Sequence, residues 1–222
     1  MGADVSPPYA PVVPSLPRRR ARGAEEQPRI LATSDCEHCR PGLVSQPANT
    51  VSSLAYVAAG IDLLGQPDPD KTFAWGLIGV GLGSVAYHGP GGVAGKWAHD
   101  ATLLALFGLM ALSDVTVAEG KPMPAASIAA VVAASGAAAH PRTTDVAQGA
   151  FGALAIAASA RRYARSDDLK VLTVSLPLWT AGLTLQILGR TGQPLCRPSS
   201  PFQAHAAWHV LSAAALWSRR RF

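Results

Sequence analysis

From position 48 onward the chain divides into seven apolar stretches, each close to the roughly 20 residues a helix needs to cross the hydrocarbon core of a bilayer. No other feature limits the possible folds as strongly. The stretches run over about 48–65, 72–89, 97–117, 122–139, 144–160, 169–189 and 202–218. Short separators rich in turn-forming and charged residues lie between them. They are Gln66-Pro67-Asp68-Pro69-Asp70-Lys71, Gly89-Pro90-Gly91-Gly92, Glu119-Gly120-Lys121-Pro122, His140-Pro141-Arg142, and the segments 161–170 and 190–201. Small residues recur at helix-packing spacing, as at Gly79 and Gly83, and stretches four and five are nearly all Ala, Val, Ile and Gly, which suits close helix contact in a membrane. The expected fold is all-α: a polytopic membrane protein with seven transmembrane helices in one bundle, occupying 34–222.

Composition agrees, with 49% hydrophobic and only 15% charged residues, a lean charge content for a water-soluble domain. Residues 1–33 differ. They hold Pro7-Pro8, Pro11, Pro14, Pro17, an arginine run and Glu25-Glu26 without an apolar period, so a disordered tail is expected. No secretory apolar region follows the arginines, so the first membrane helix is expected to direct insertion itself.

A net charge of +5 raises the question of nucleic acid. The basic residues concentrate in Arg18-Arg19-Arg20-Ala21-Arg22 and Arg219-Arg220-Arg221, without interleaved aromatics, which argues against nucleic-acid binding and suits anionic headgroups. With the N-terminus outside, Lys71, Lys121, Arg161, Arg162, Arg165, Lys170 and Arg219 to Arg221 fall on the inner face, against Arg40, Lys96, Arg142, Arg190 and Arg197 outside. The excess on one side predicts an outer N-terminus and a cytoplasmic C-terminus in the cell membrane. Asp62 and Asp114 then lie near inner helix ends as interfacial residues, and the tryptophans fall mostly near helix ends.

The residues able to carry chemistry collect at one end. His205 and His209 stand four apart at the start of the seventh stretch, so on a helix they share a face and can converge on one ion. Ser84 and His88 repeat that spacing at the end of the second, and His99-Asp100 opens the third. Polar groups inside membrane segments are costly enough to point to function. The second stretch ends on the side where the third and seventh begin, so Ser84, His88, Asp100, His205 and His209 share one face whichever way the chain inserts. Three imidazoles with an open fourth position match a catalytic zinc arrangement that lowers the pKa of a bound water to about 7. A carboxylate can take and return the proton, and a hydroxyl can stabilise an oxyanion. Cys36-Glu37-His38-Cys39 has no second cysteine pair to form a zinc knuckle, leaving a disulfide with Cys196 as another use of these thiols.

The runs Gly83-Ser84-Val85-Ala86-Tyr87-His88, His99-Asp100-Ala101-Thr102 and Phe202-Gln203-Ala204-His205-Ala206-Ala207-Trp208-His209 resemble the Ser-x-x-x-His, Asp and His-x-x-[Trp/Phe]-His elements of the alkaline ceramidases. That family belongs to a superfamily of seven-helix putative hydrolases. The resemblance extends to Cys36-Glu37, to Gln46-Pro47-Ala48-Asn49-Thr50-Val51-Ser52-Ser53-Leu54 and to Cys196, covering about 34–215 in matching order. It implies zinc on His88, His205 and His209, Asp100 as proton shuttle, Ser84 as oxyanion or substrate stabiliser, and an N-acyl lipid amide such as ceramide as substrate. It also implies an acidic calcium site ahead of the first helix. Here that stretch offers Asp35 and Glu37 but His38, Cys39 and Gln46 where further oxygen ligands would help, so calcium is the weakest part of the likeness. A lipid-sensing receptor or scaffold that retains zinc is the alternative from another class. A metal transporter fits less well, because the ligands stop at one face. Cys36 and Cys196 are both placed on the zinc side by an even number of crossings, with Cys39 as the alternative partner for Cys196.

Overall fold

The computed structural model of the chain describes residues 32–119, 124–165 and 171–221. Residues 1–31 of the expected disordered tail lie outside the described residues, as do Lys121 and Lys170 of the charge count. Among the described residues all regular structure is helical: α1 Pro47–Leu64, α2 Lys71–His88, α3 Gly92–Glu119, α4 Pro124–Ala137, α5 Pro141–Tyr163, α6 Leu176–Leu188 and α7 Ala204–Arg221. A 3-10 turn, Thr33–Asp35, precedes α1, and a π turn, Val171–Ser175, leads into α6. Pro177, which can neither donate a backbone hydrogen bond nor sit in a regular helix interior, follows that widened turn.

Local chemistry sets the helix ends. Pro47 occupies the first turn of α1, where its missing N–H costs nothing. The carboxylate of Glu37 reaches in from outside that helix and accepts from Ala48 N and Asn49 N, both at 2.8 Å, meeting two of its orphan donors and its positive end at once. Asp70 caps α2 by accepting from Phe73 N at 3.0 Å. Helix α3 starts five residues before the expected 97, at Gly92. Gly91 and Gly92 have φ of 69° and 75°, a left-handed conformation open to glycine, so the chain reverses in very few residues and Lys96 becomes helical.

The packing order is α6, α7, α1, α2, α3, with α4 and α5 against α3. Glycines set the closest approaches: a Cβ on Gly60 would lie 2.6 Å from Ala74 O, and one on Gly83 2.7 Å from Ala98 O. Gly79 of the expected pair is looser, with only Thr102 Cγ2 at 3.8 Å. Phe73, Leu77, Leu104 and Leu106 are fully buried between these helices. Among the described residues one helix, Gly92–Val115, is by length and composition long and apolar enough to cross a membrane, and Pro124–Ala137 and Thr173–Leu188 are shorter apolar helices. The difference from the seven expected spans has a local origin in polar residues that dilute the 18-residue helices: Asn49 and Asp62 in α1, Lys71 and His88 in α2, and His205, His209 and Arg219 to Arg221 in α7.

The two ends of the bundle differ chemically. One gathers the histidines. At the other, Asp114 is completely buried rather than interfacial. Its carboxylate meets Arg162 at 3.0 Å, Arg219 at 2.5 Å, Arg220 at 2.9 Å and the Ser159 hydroxyl at 2.6 Å. Arg220 also reaches Asp70 at 3.6 Å and donates to Ser113, which in turn donates to Asp70. Asp62 accepts from Trp217 Nε1 at 2.7 Å.

A buried three-histidine candidate metal centre

Helix α2 ends on His88, and α7 begins one residue before His205, so the ends of these two elements present the imidazoles to each other. His88, His205 and His209 are all buried, and one ligand nitrogen from each lies within 4.8 Å of the others. Among the described residues they form a group able to hold a metal ion. The ring centroids are 5.0 Å apart for His88 and His205, 5.2 Å for His88 and His209, and 4.5 Å for His205 and His209.

Each ring has its Nδ1 held from behind. His88 Nδ1 lies 2.7 Å from Gln46 Oε1. The orientation of that amide is set by its other end, where Nε2 donates to the carbonyls of Ala32 at 3.1 Å and Glu37 at 3.0 Å. His205 Nδ1 lies 2.5 Å from Gln186 Oε1, with Asp35 Oδ1 at 3.8 Å. His209 Nδ1 lies 2.9 Å from Ser52 Oγ and 3.4 Å from Ser53 Oγ. Both hydroxyls spend their hydrogens on Asn49 O, so their lone pairs face the ring. In every case the neighbour accepts, which places the proton on Nδ1 and leaves Nε2 as a lone pair. His88 Nε2 and His205 Nε2 are buried with no hydrogen-bond partner. Converging buried lone pairs on imidazoles oriented by outer acceptors fit a metal-ligand set.

Asp100 is buried but stands beside this trio rather than in it. Its Oδ2 accepts from Lys96 Nζ at 2.5 Å and its Oδ1 from His99 Nδ1 at 3.0 Å. The His99 ring lies edge-on to His88 at 6.3 Å and tilted against Tyr87 at 5.1 Å. Because α3 begins at Gly92, Asp100 belongs to the third turn of its helix and not to the helix cap. Ser84 is buried one turn before His88 on the same helix. Trp208, between the two α7 histidines, packs on Trp179 at 4.9 Å.

A strap formed by residues 32–46 covers this end. Cys36 is bridged to Cys196, and Cys39 is a free cysteine. Ser45 N and Gln46 N donate to Gly89 O and His88 O, while His38 N and Thr191 N link the strap to the α6–α7 connection through Pro198 O and Ser34 O. The acidic pair of the strap is already engaged: Glu37 caps α1, and Asp35 accepts from Ser34 and faces His205. Burial raises the Asp35 carboxyl above its ordinary range and raises the Cys39 thiol as well.

Reasoning on the sequence missed Gln186, Ser52, Ser53 and Lys96 as neighbours of the site. Gln186 carried a usable signal, being an uncharged but strongly polar side chain inside an otherwise apolar helix. No family model, curated protein or solved structure matches this chain.

Proposed function

We propose that this chain is a zinc-dependent membrane amidase that hydrolyses ceramide or a related N-acyl lipid to a fatty acid and an amine. The observation that carries this reading is the buried trio itself: three imidazoles with Nδ1 held by acceptors, two of their Nε2 atoms without any partner. Such orphaned lone pairs are expensive in a dry interior unless something binds them. The seven-helix transmembrane arrangement is part of the proposal and is supported by inverted polarity. Val51, Ile61, Leu82, Val132, Ile156 and Ile187 face outward, while histidine, aspartate, glutamine and serine side chains are buried, as in a bundle solvated by lipid. The histidine end is placed on the extracytoplasmic side and the arginine end on the cytoplasmic side.

His88, His205 and His209 would hold the metal, and zinc bound there supplies an activated water and a Lewis acid for the amide carbonyl. Asp100 accepts the proton from the attacking water and returns it to the departing amine. Lys96 donates to one of its oxygens, and His99, which donates to the other and whose ring stands 6.3 Å from that of His88, lies on the path the proton takes. Ser84, on the turn before His88, offers a hydroxyl to the developing oxyanion.

The test is to purify the protein in detergent, measure zinc by elemental analysis, and incubate it with a panel of N-acyl lipids, following fatty acid and amine by mass spectrometry. About one zinc per chain is expected, lost in His205→Ala and in His209→Ala. Full zinc in both variants would end the assignment of the site. One zinc with no turnover across the panel would leave a zinc-stabilised lipid receptor or scaffold as the better reading.

A further inference from the structure

The end of the bundle opposite the histidines contains a second, chemically distinct pocket. Helix α5 packs on α3 while α6 packs on α7, and between these pairs lies a cavity of about 330 Å³, a size at the low end for small-molecule sites of roughly 300–1,000 Å³. Its walls are apolar over Phe107, Met110, Ile156, Leu176, Trp179 and Leu216. Only one end is polar, where Arg219, Tyr163 and Ser159 line it.

Two donors at that end lack partners. Arg219 is only 7% exposed and uses an Nη to reach Asp114 and Ser159, yet its Nε is buried without a hydrogen bond, as is the Tyr163 hydroxyl. Among the described residues the charges do not cancel either: Arg162, Arg219 and Arg220 surround Asp114, with Asp70 as the second carboxylate in reach. Unpaired donors beside an uncompensated cation call for an acceptor carrying a single negative charge. The long apolar wall calls for a hydrocarbon chain, and the volume limits the occupant to one chain.

We infer that this cavity binds a single-chain lipid with a monoanionic head, its carboxylate or equivalent group on Arg219 and Tyr163 and its chain between α5 and α6. Arg219 stands ten residues beyond His209 on α7, about 15 Å along the helix axis, so this is not the histidine site, and the inference does not depend on hydrolysis there.

The test uses the full chain in neutral detergent and native mass spectrometry, titrating a sixteen-carbon carboxylate and, separately, the alcohol of the same length. One equivalent of carboxylate is expected, bound about tenfold more tightly than the alcohol, the 1.4 kcal/mol of a charge-assisted hydrogen bond. Tyr163→Phe removes one orphan donor without touching the ion cluster and should weaken the carboxylate several-fold while leaving the alcohol nearly unchanged. Gly152→Leu, projecting from the α5 wall toward Phe107, should exclude both. Equal affinity for acid and alcohol, or insensitivity to both cavity variants, would overturn the proposal.

Discussion

Replacing Gln186 with leucine removes an acceptor from behind one imidazole of the proposed zinc site while leaving all three histidines in place. Its Oε1 is 2.5 Å from His205 Nδ1, and the neighbouring Asp35 Oδ1, at 3.8 Å, is too far to take over the hydrogen bond. The change leaves a buried N–H unsatisfied, a cost of about 1–3 kcal/mol, and frees the ring to turn its other nitrogen inward. Losing such an outer partner ordinarily lowers metal affinity about 10–100-fold, or roughly 1.4–2.8 kcal/mol at 1.4 kcal/mol per tenfold, and the two figures agree. Leucine is a good helix former on a helix that already holds Leu183, Leu185 and Leu188, so the fold should persist. Gln186→Glu keeps an acceptor and should hold zinc at least as tightly as the parent. The measurement is competition between the purified protein and a fluorescent zinc chelator in detergent at neutral pH. A Gln186→Leu affinity within twofold of the parent would refute both the tautomer assigned to His205 and the role of its Nε2 as ligand.

Asp100→Asn should retain zinc but abolish amide hydrolysis, since an amide cannot accept the proton; unchanged turnover would move that role to His99. Asp114→Ala should destabilise the bundle by roughly 3–5 kcal/mol, as expected when one partner of a buried ionic cluster is lost, and an unaltered thermal transition in detergent would show that the three arginines find other partners. Thiol counting on the denatured, non-reduced chain should find one free cysteine, Cys39. In the native protein, burial keeps that thiol protonated above its ordinary range, so maleimide should label it more slowly than in the unfolded chain. Three reactive thiols from protein prepared without reductant would remove the Cys36–Cys196 bridge and weaken the outer placement of the histidine end.

Helix positions were legible in the sequence because they follow from local rules. Apolar length, Pro47 and Pro141 at helix starts and the Gly89 to Gly92 turn locate elements to within a few residues, as five of the seven show. The starts of α3 and α6 were the exceptions: apolar content alone did not reveal that Gly91 and Gly92 reverse the chain so tightly, nor that the π turn Val171–Ser175 delays α6 to Leu176 rather than 169. The i, i+4 spacing of His205 and His209 and the shared side of His88 likewise needed only helix periodicity and a parity of crossings.

What the chain order could not supply was the rotation of each helix about its own axis, and that rotation chooses neighbours. Asp114 has the same local look as Asp62. Yet α3 turns Asp114 inward onto arginines from α5 and α7, 48, 105 and 106 residues away, while Asp62 meets Trp217 near the surface. Gln46 finds His88 across 42 residues, and Ser52 finds His209 across 157, through contacts that no period encodes. The choice between Cys36 and Cys39 as partner of Cys196 belongs to the same class, settled by how the strap lies over the α6–α7 connection. The sequence by itself thus determined the elements and the end of the bundle on which the histidines fall, because both depend on backbone periodicity. The tertiary structure alone decided which side chains hold those histidines and which charges are buried, because those outcomes depend on how helices distant in the chain pack together.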